Sequence, residues 1–132
     1  MNKKYLYILI AGLITTLMLV VAPSAIARAA CTTAPDGSIT CTGDDDTVTI
    51  NAGESPPNVS GGAGNDQIDN HGNVSGTIQG DAGDDTINND GVAGNLSGGP
   101  GTNTGNDTIN NSGTVQNNIY GYDGNNTINN LP

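Results

Sequence analysis

The chain has 132 residues, of which 13 are acidic and three basic, for a formal charge of −10; 20 are glycine, and there is no Phe or Trp. A balance this acidic argues against nucleic acid and anionic membrane surfaces as partners and for multivalent cations. A chain so rich in glycine and poor in aromatics also argues against a thick hydrophobic core, so turns must form much of what it builds.

Lys3 and Lys4 precede an apolar run over residues 5–22, and Pro23 then leads into Ala25, Ala27, Ala29 and Ala30, which offer A-x-A-like cleavage sites. The pattern predicts a secretory signal peptide over 1–29, and hence a secreted or cell-surface protein. Two other readings stay open: an uncleaved anchor, since about 18 apolar residues just span a bilayer, and a lipid-anchored Cys31. All three basic residues (Lys3, Lys4 and Arg28) lie in this leader, so the remainder carries a charge of about −13 with no side-chain cation to balance it.

Cys31 and Cys41 are the only cysteines, and Pro35, Asp36 and Gly37 supply a turn between them. In an exported chain this spacing predicts a disulfide-closed hairpin over 30–41 that caps the structure following it. Two cysteines and the distant His71 do not make a zinc set.

Residues 42–132 are a repeat. The step Asp46-Thr47-Val48 recurs as Asp66-Gln67-Ile68, Asp85-Thr86-Ile87, Asp107-Thr108-Ile109 and Asn126-Thr127-Ile128, at separations of 20, 19, 22 and 19. A second inward register runs through Val59, Ile78, Leu96 and Ile119, and a third through Val74, Val92 and Val115. Each repeat thus carries two short strands, with alternation of period two clearest over 74–79. Asn70, Asn89, Asn111 and Asn130 follow the first strand of each repeat and, if stacked, would form a side-chain amide ladder. The expected fold is all-β: a flattened parallel β-solenoid of about five coils, at about 4.8 Å per coil. Insertions at 54–57 and 100–103 fall outside the strands and should bulge at turns.

The turns carry the candidate chemistry. In GGAGNDQID at 61–69, glycines let the backbone turn tightly and aim carbonyl oxygens inward, and Asp66 adds a hard anionic oxygen. The corresponding turns are 42–46, 61–66, 80–85, 102–107 and 121–126, which leave four gaps between neighbours. Candidate ligands are the carboxylates and carbonyls of Asp44, Asp46, Gly61, Gly62, Gly64, Asp66, Gly80, Asp81, Gly83, Asp85, Gly105, Asp107, Gly121, Asp123 and Asn126. An all-oxygen set of this kind suits Ca2+ better than Mg2+ or a transition metal. The other reading, that Gly and Asp merely mark turns, stays open. With an aliphatic-only core and so many carboxylates, the metal-free chain is expected to be marginal, with cations completing the fold.

Residues 42–130 resemble the RTX, or haemolysin-type, calcium-binding repeats, whose pattern is GGxGxDxUx. GGAGNDQID at 61–69 and GDAGDDTIN at 80–88 are the best matches. A different sequence, NHGNVSGTIQ at 70–79, fills the alternate half-coil, and that 19-residue, one-edged pattern is similar to the calcium-dependent solenoid of RTX ice-binding adhesins. The resemblance implies a β-roll with calcium between stacked turns. Ice binding there uses a Thr and an Asn on the turn; here Ala63, Ala82 and Asp123 hold the Thr place, and Thr104-Gly105-Asn106 keeps the pair.

Catalysis is not expected, because His71 is alone and no Lys or Arg follows the leader to stabilise an anion. Three roles remain: a structural or surface module folded by calcium, self-association through an open last coil into a filament or adhesin-type module, and recognition of ice or glycan by the outward Thr86/Asn88, Thr108/Asn110 and Thr127/Asn129 rows.

Overall fold

The computed structural model describes residues 30–101 and 105–131. The leader expected over 1–29 and the Thr104 position lie outside these residues. Twelve strands follow in chain order: β1 (Thr32–Thr33), β2 (Ile39–Thr40), β3 (Thr47–Ile50), β4 (Val59–Ala63), β5 (Gln67–Asn70), β6 (Asn73–Ala82), β7 (Thr86–Asn89), β8 (Val92–Gly99), β9 (Thr108–Asn111), β10 (Thr114–Val115), β11 (Ile119–Tyr122) and β12 (Thr127–Asn130). They make two sheets. One has the order β1-β2-β4-β6-β8-β10, with β11 also paired to β8; the other is β12-β9-β7-β5-β3. The chain changes sheet at each half-coil, and the β1–β2 hairpin is the one antiparallel pair among them. This is the parallel β-solenoid of about five coils that the repeat predicts.

The period-two pattern works by sorting side chains between the two faces of each strand. Val48, Ile68, Ile87, Ile109 and Ile128 stand in one column. Ile39, Val59, Ile78, Leu96 and Ile119 stand in another, on the opposite sheet. The middle members are fully buried in a single aliphatic core, and each is worth about 1.5–3 kcal/mol of burial.

The third inward register needs one correction. Val74 pairs with Ala93, and so does Val115, whereas Val92 pairs with Asn73 and Thr114. Ala93 is the buried residue, and Val92 is only half-buried. The physical reason is a register shift between Val74 and Thr77: β8 spends one residue fewer than β6 in reaching the Leu96 position. Counting back from Leu96 therefore selects Val92, while counting forward from Asn89 selects Ala93.

Asn70, Asn89 and Asn111 also face inward and are 0%, 2% and 4% exposed, so only a closed hydrogen-bond set keeps them there cheaply. The amide ladder supplies it: Asn70 Nδ2 donates to Asn89 Oδ1 at 2.6 Å, Asn89 to Asn111 at 2.6 Å, and Asn111 to Asn130 at 2.7 Å. In the first coil Ile50 pairs with Asn70 and is fully buried, so the ladder begins on an apolar residue.

At the N-terminal end the Cys31–Cys41 disulfide closes the β1–β2 hairpin. Its turn is held by Ser38 N–H on Asp36 Oδ1 at 2.9 Å, with Gly37 at φ 89°. Because β2 pairs in parallel with β4, the cap is continuous with the first coil.

Candidate metal centre

The edge of the solenoid opposite the asparagines is lined by the Asp column. Asp66, Ile68 and Asn70 are two residues apart, so all three point inward, and the same parity holds in every coil. Asp46, Asp66, Asp85 and Asp107 are accordingly buried, each 4% exposed or less. One carboxylate oxygen is accounted for by stacking. Asp46 N–H donates to Asp66 Oδ1 at 2.7 Å, Asp66 N–H to Asp85 Oδ1 at 2.8 Å, Asp85 N–H to Asp107 Oδ1 at 3.0 Å, and Asp107 N–H to Asn126 Oδ1 at 2.7 Å.

A second ladder, which sequence reasoning missed, runs one residue earlier and outside. Asn65 N–H donates to Asp45 Oδ1 at 2.7 Å, Asp84 N–H to Asn65 Oδ1 at 2.8 Å, Asn106 N–H to Asp84 Oδ1 at 2.7 Å, and Asn125 N–H to Asn106 Oδ1 at 2.9 Å. Inside, each side chain accepts from the coil before it; outside, from the coil after it. The Asx residue ahead of every repeat Asp was the available signal.

The second inner oxygens are the unusual atoms. Asp66 Oδ2 and Asp85 Oδ2 are buried without a hydrogen-bond partner. Each lies beside a carbonyl of the next coil across a space that a glycine keeps open. A Cβ on Gly61 would stand 2.5 Å from both Asp66 Oδ2 and the Gly80 carbonyl oxygen. A Cβ on Gly80 would meet Asp85 Oδ2 and the Gly98 carbonyl, and one on Gly98 would meet Asp107 Oδ2 and the Gly121 carbonyl. Three cradles of the same construction thus follow one another up the edge.

Electrostatics agree with this geometry. Burial pushes the Asp85 carboxyl up to about 7, against a lowering hydrogen bond from Asp66 N–H and with further raising by Asp66, Asp107 and Asp81. Asp66 is raised by burial and by Asp46, Asp45 and Asp81, and Asp107 by burial and by Asp84. Buried carboxylates of one sign with spare lone pairs call for a proton or a cation.

Other expected ligands are placed differently. Asp46 Oδ1 accepts Ala30 N–H at 3.2 Å, and its Oδ2 accepts Thr42 N–H at 3.1 Å, so the first gap is closed by the chain itself. Asp81 sits at φ 78° and takes hydrogen bonds from Ser60 Oγ and Gln79 Nε2. Asp44 and Asp123 are exposed. In the last coil Asn126 Nδ2 donates to the carbonyls of Tyr122 and Asp123 at 3.1 and 3.2 Å, so the column ends on a satisfied neutral amide. Gly62, Gly64 and Gly83 lie in the turns at φ 105°, 118° and 122°, and Gly105 backs onto the Gly83 carbonyl. These positions bring the turns of successive coils into backbone contact.

A cluster of Cys31, Cys41 and Asp46 also lies within ligand distance, but its sulfurs are joined in the disulfide and are not free for a soft metal. His71 Nδ1 lies 2.7 Å from Asp90 Oδ1 at the Asn edge, where both are exposed. Among hard cations the cradle donors fit Ca2+: carboxylate and main-chain carbonyl oxygens, with no nitrogen or sulfur. Comparison with protein-family models, curated proteins and solved structures finds no match for this chain.

Proposed function

We propose that this chain is an exported calcium-binding β-solenoid, a structural or cell-surface module whose folding is completed by Ca2+ at the Asp edge. The observation that carries the reading is the pair of buried, unpartnered oxygens, Asp66 Oδ2 and Asp85 Oδ2, each set beside a carbonyl of the following coil. Asp66 with the Gly80 carbonyl, Asp85 with that of Gly98, and Asp107 with that of Gly121 would hold the ions. A bound cation offsets the cost of burying three like charges and joins adjacent coils, so metal affinity and folding free energy become one quantity. Export rests on the leader pattern at 1–29 and agrees with the disulfide.

The test is far-ultraviolet circular dichroism of the purified protein in EDTA, followed by a calcium titration with magnesium as control. Conversion from coil to β with calcium and not with magnesium is the expected result. A β spectrum already complete in EDTA, unchanged in thermal midpoint by calcium, would sink the proposal. It would leave a solenoid held by its ladders alone.

A further inference from the structure

The two ends of the solenoid are finished differently. At the N-terminal end β1 lies along β2, the disulfide ties the hairpin shut, and Ala30 bonds to Asp46. At the other end, no described residue stacks on the coil of β10, β11 and β12. Ile128 is 44% exposed although Ile68, Ile87 and Ile109, its counterparts below, are fully buried, and Leu131 is 61% exposed. With Val115 and Ile119 these residues line an open mouth between the two sheets.

We infer that this end is a two-fold interface with a second copy of this chain, in which the two β12 strands pair antiparallel about Ile128. The backbone is already arranged for it. Thr127 and Leu131 donate to Asp107 and Asn111 of the coil below, and alternate residues of a strand face opposite neighbours. Asn126, Ile128 and Asn130 therefore turn their N–H and C=O groups outward. An antiparallel partner centred on Ile128 places Ile128 opposite Ile128 and Asn126 opposite Asn130, each as a hydrogen-bonded pair. The symmetry axis stands perpendicular to the sheets, so the other sheet and the aliphatic core continue across the same plane.

Charge favours this end for a self-contact. Of the 13 acidic residues only Asp123 lies beyond Asp107, and the inward column closes on neutral Asn126, where every earlier coil has a carboxylate. The N-terminal end instead presents the exposed Asp44 and Asp45 beside a two-residue edge strand, β1. Head-to-tail stacking would press the open mouth against that charged, disulfide-closed cap. An end-to-end contact uses one patch twice and closes as a dimer.

Sedimentation velocity on the purified protein in buffered calcium chloride tests the inference. A dimer is expected, and Ile128→Lys should raise the dimer dissociation constant by about tenfold or more without altering the β spectrum. Should that variant fold poorly, Ile128→Cys supplies an independent readout. Facing cysteines at a two-fold pair should form a cross-linked dimer on mild oxidation, while Ile109→Cys, one coil deeper, should not. A wild-type monomer at the highest soluble concentration, growth beyond the dimer, or a dimer in which Ile128→Cys does not cross-link would each overturn the inference.

Discussion

The two edges of this solenoid solve the same packing problem with different chemistry. Each carries one inward polar residue per coil, save where Ile50 holds the Asn place in the first, stacked on its neighbours at strand spacing. On the Asn edge an amide can both donate and accept, so Asn89 and Asn111 are met on both sides by their neighbours, Asn70 Oδ1 accepts Gly72 N–H, and the column is neutral. On the Asp edge the carboxylates can only accept. Backbone N–H groups occupy both oxygens of Asp46 but only Oδ1 of Asp66, Asp85 and Asp107, and Asp66 and Asp85 are left with a buried oxygen unmet. One edge thus meets its buried polar groups from within, and the other leaves accepting oxygens over.

Exchanging the chemistry of the closed edge should have the largest effect. Asn89→Asp removes the donor to Asn111 Oδ1 and buries a charge between amides, so a loss of about 3–5 kcal/mol in urea unfolding is expected. Asn89→Leu should cost less, because Ile50 already occupies the equivalent place in the first coil. Equal losses for the two variants would mean that the ladder's hydrogen bonds do not matter.

A smaller and opposite effect is expected at the other edge. Folding raises the Asp85 carboxyl from its ordinary value of 3.8 to about 7. The folded protein therefore holds a proton that the unfolded chain releases between roughly pH 4 and 7. Stability from this group is full below about pH 4 and is lost as the pH rises through about 7. In EDTA the balance between coil and β should thus shift toward the fold on acidification from pH 8 to 5, by on the order of 2 kcal/mol, and Asp85→Asn should flatten the profile. With calcium the trend should reverse, since protons then compete with the ion. A wild-type profile that is flat in EDTA would show that the column is not under charge strain.

The smallest changes concern the glycines. Gly80→Ala puts a methyl group into the cradle between Asp85 Oδ2 and the Gly98 carbonyl, and should weaken the calcium response with some loss of stability. Gly43→Ala, with nothing within 4 Å of the new Cβ, should stay within about 0.5 kcal/mol of wild type. Equal calcium responses in the two variants would detach the cradles from the binding.

Much of this difference was legible in the sequence. The Asp-x-aliphatic step gave the strand register of one sheet, and the asparagine spacing gave the amide ladder, because parallel stacking turns a sequence period directly into a spatial column. Parity also places Asp66, Ile68 and Asn70 on one face, so the burial of the carboxylates could have been read there. Val92 was misplaced because a single residue missing from β8 shifts the register between two otherwise correct anchors. Ile50 escaped notice because it replaces an asparagine without resembling one. Which oxygen of Asp66 finds a partner depends on how the Gly61 turn sits against Gly80 in three dimensions, and no spacing rule contains that.

The opposed ladders at the Asp edge bear on how such a chain can change its length. The interior coils give and receive the same bonds, so a whole interior repeat is interchangeable with its neighbour while a fraction of one is not. Excising residues 71–89 would join Asn70 to Asp90 with each column still in step, shortening the stack by one strand spacing of about 4.8 Å. Removal of ten residues from the same place would set Asp against Asn along the whole remaining height. The protein is in this sense a ruler graduated in coils, whose reach is set by the number of repeats.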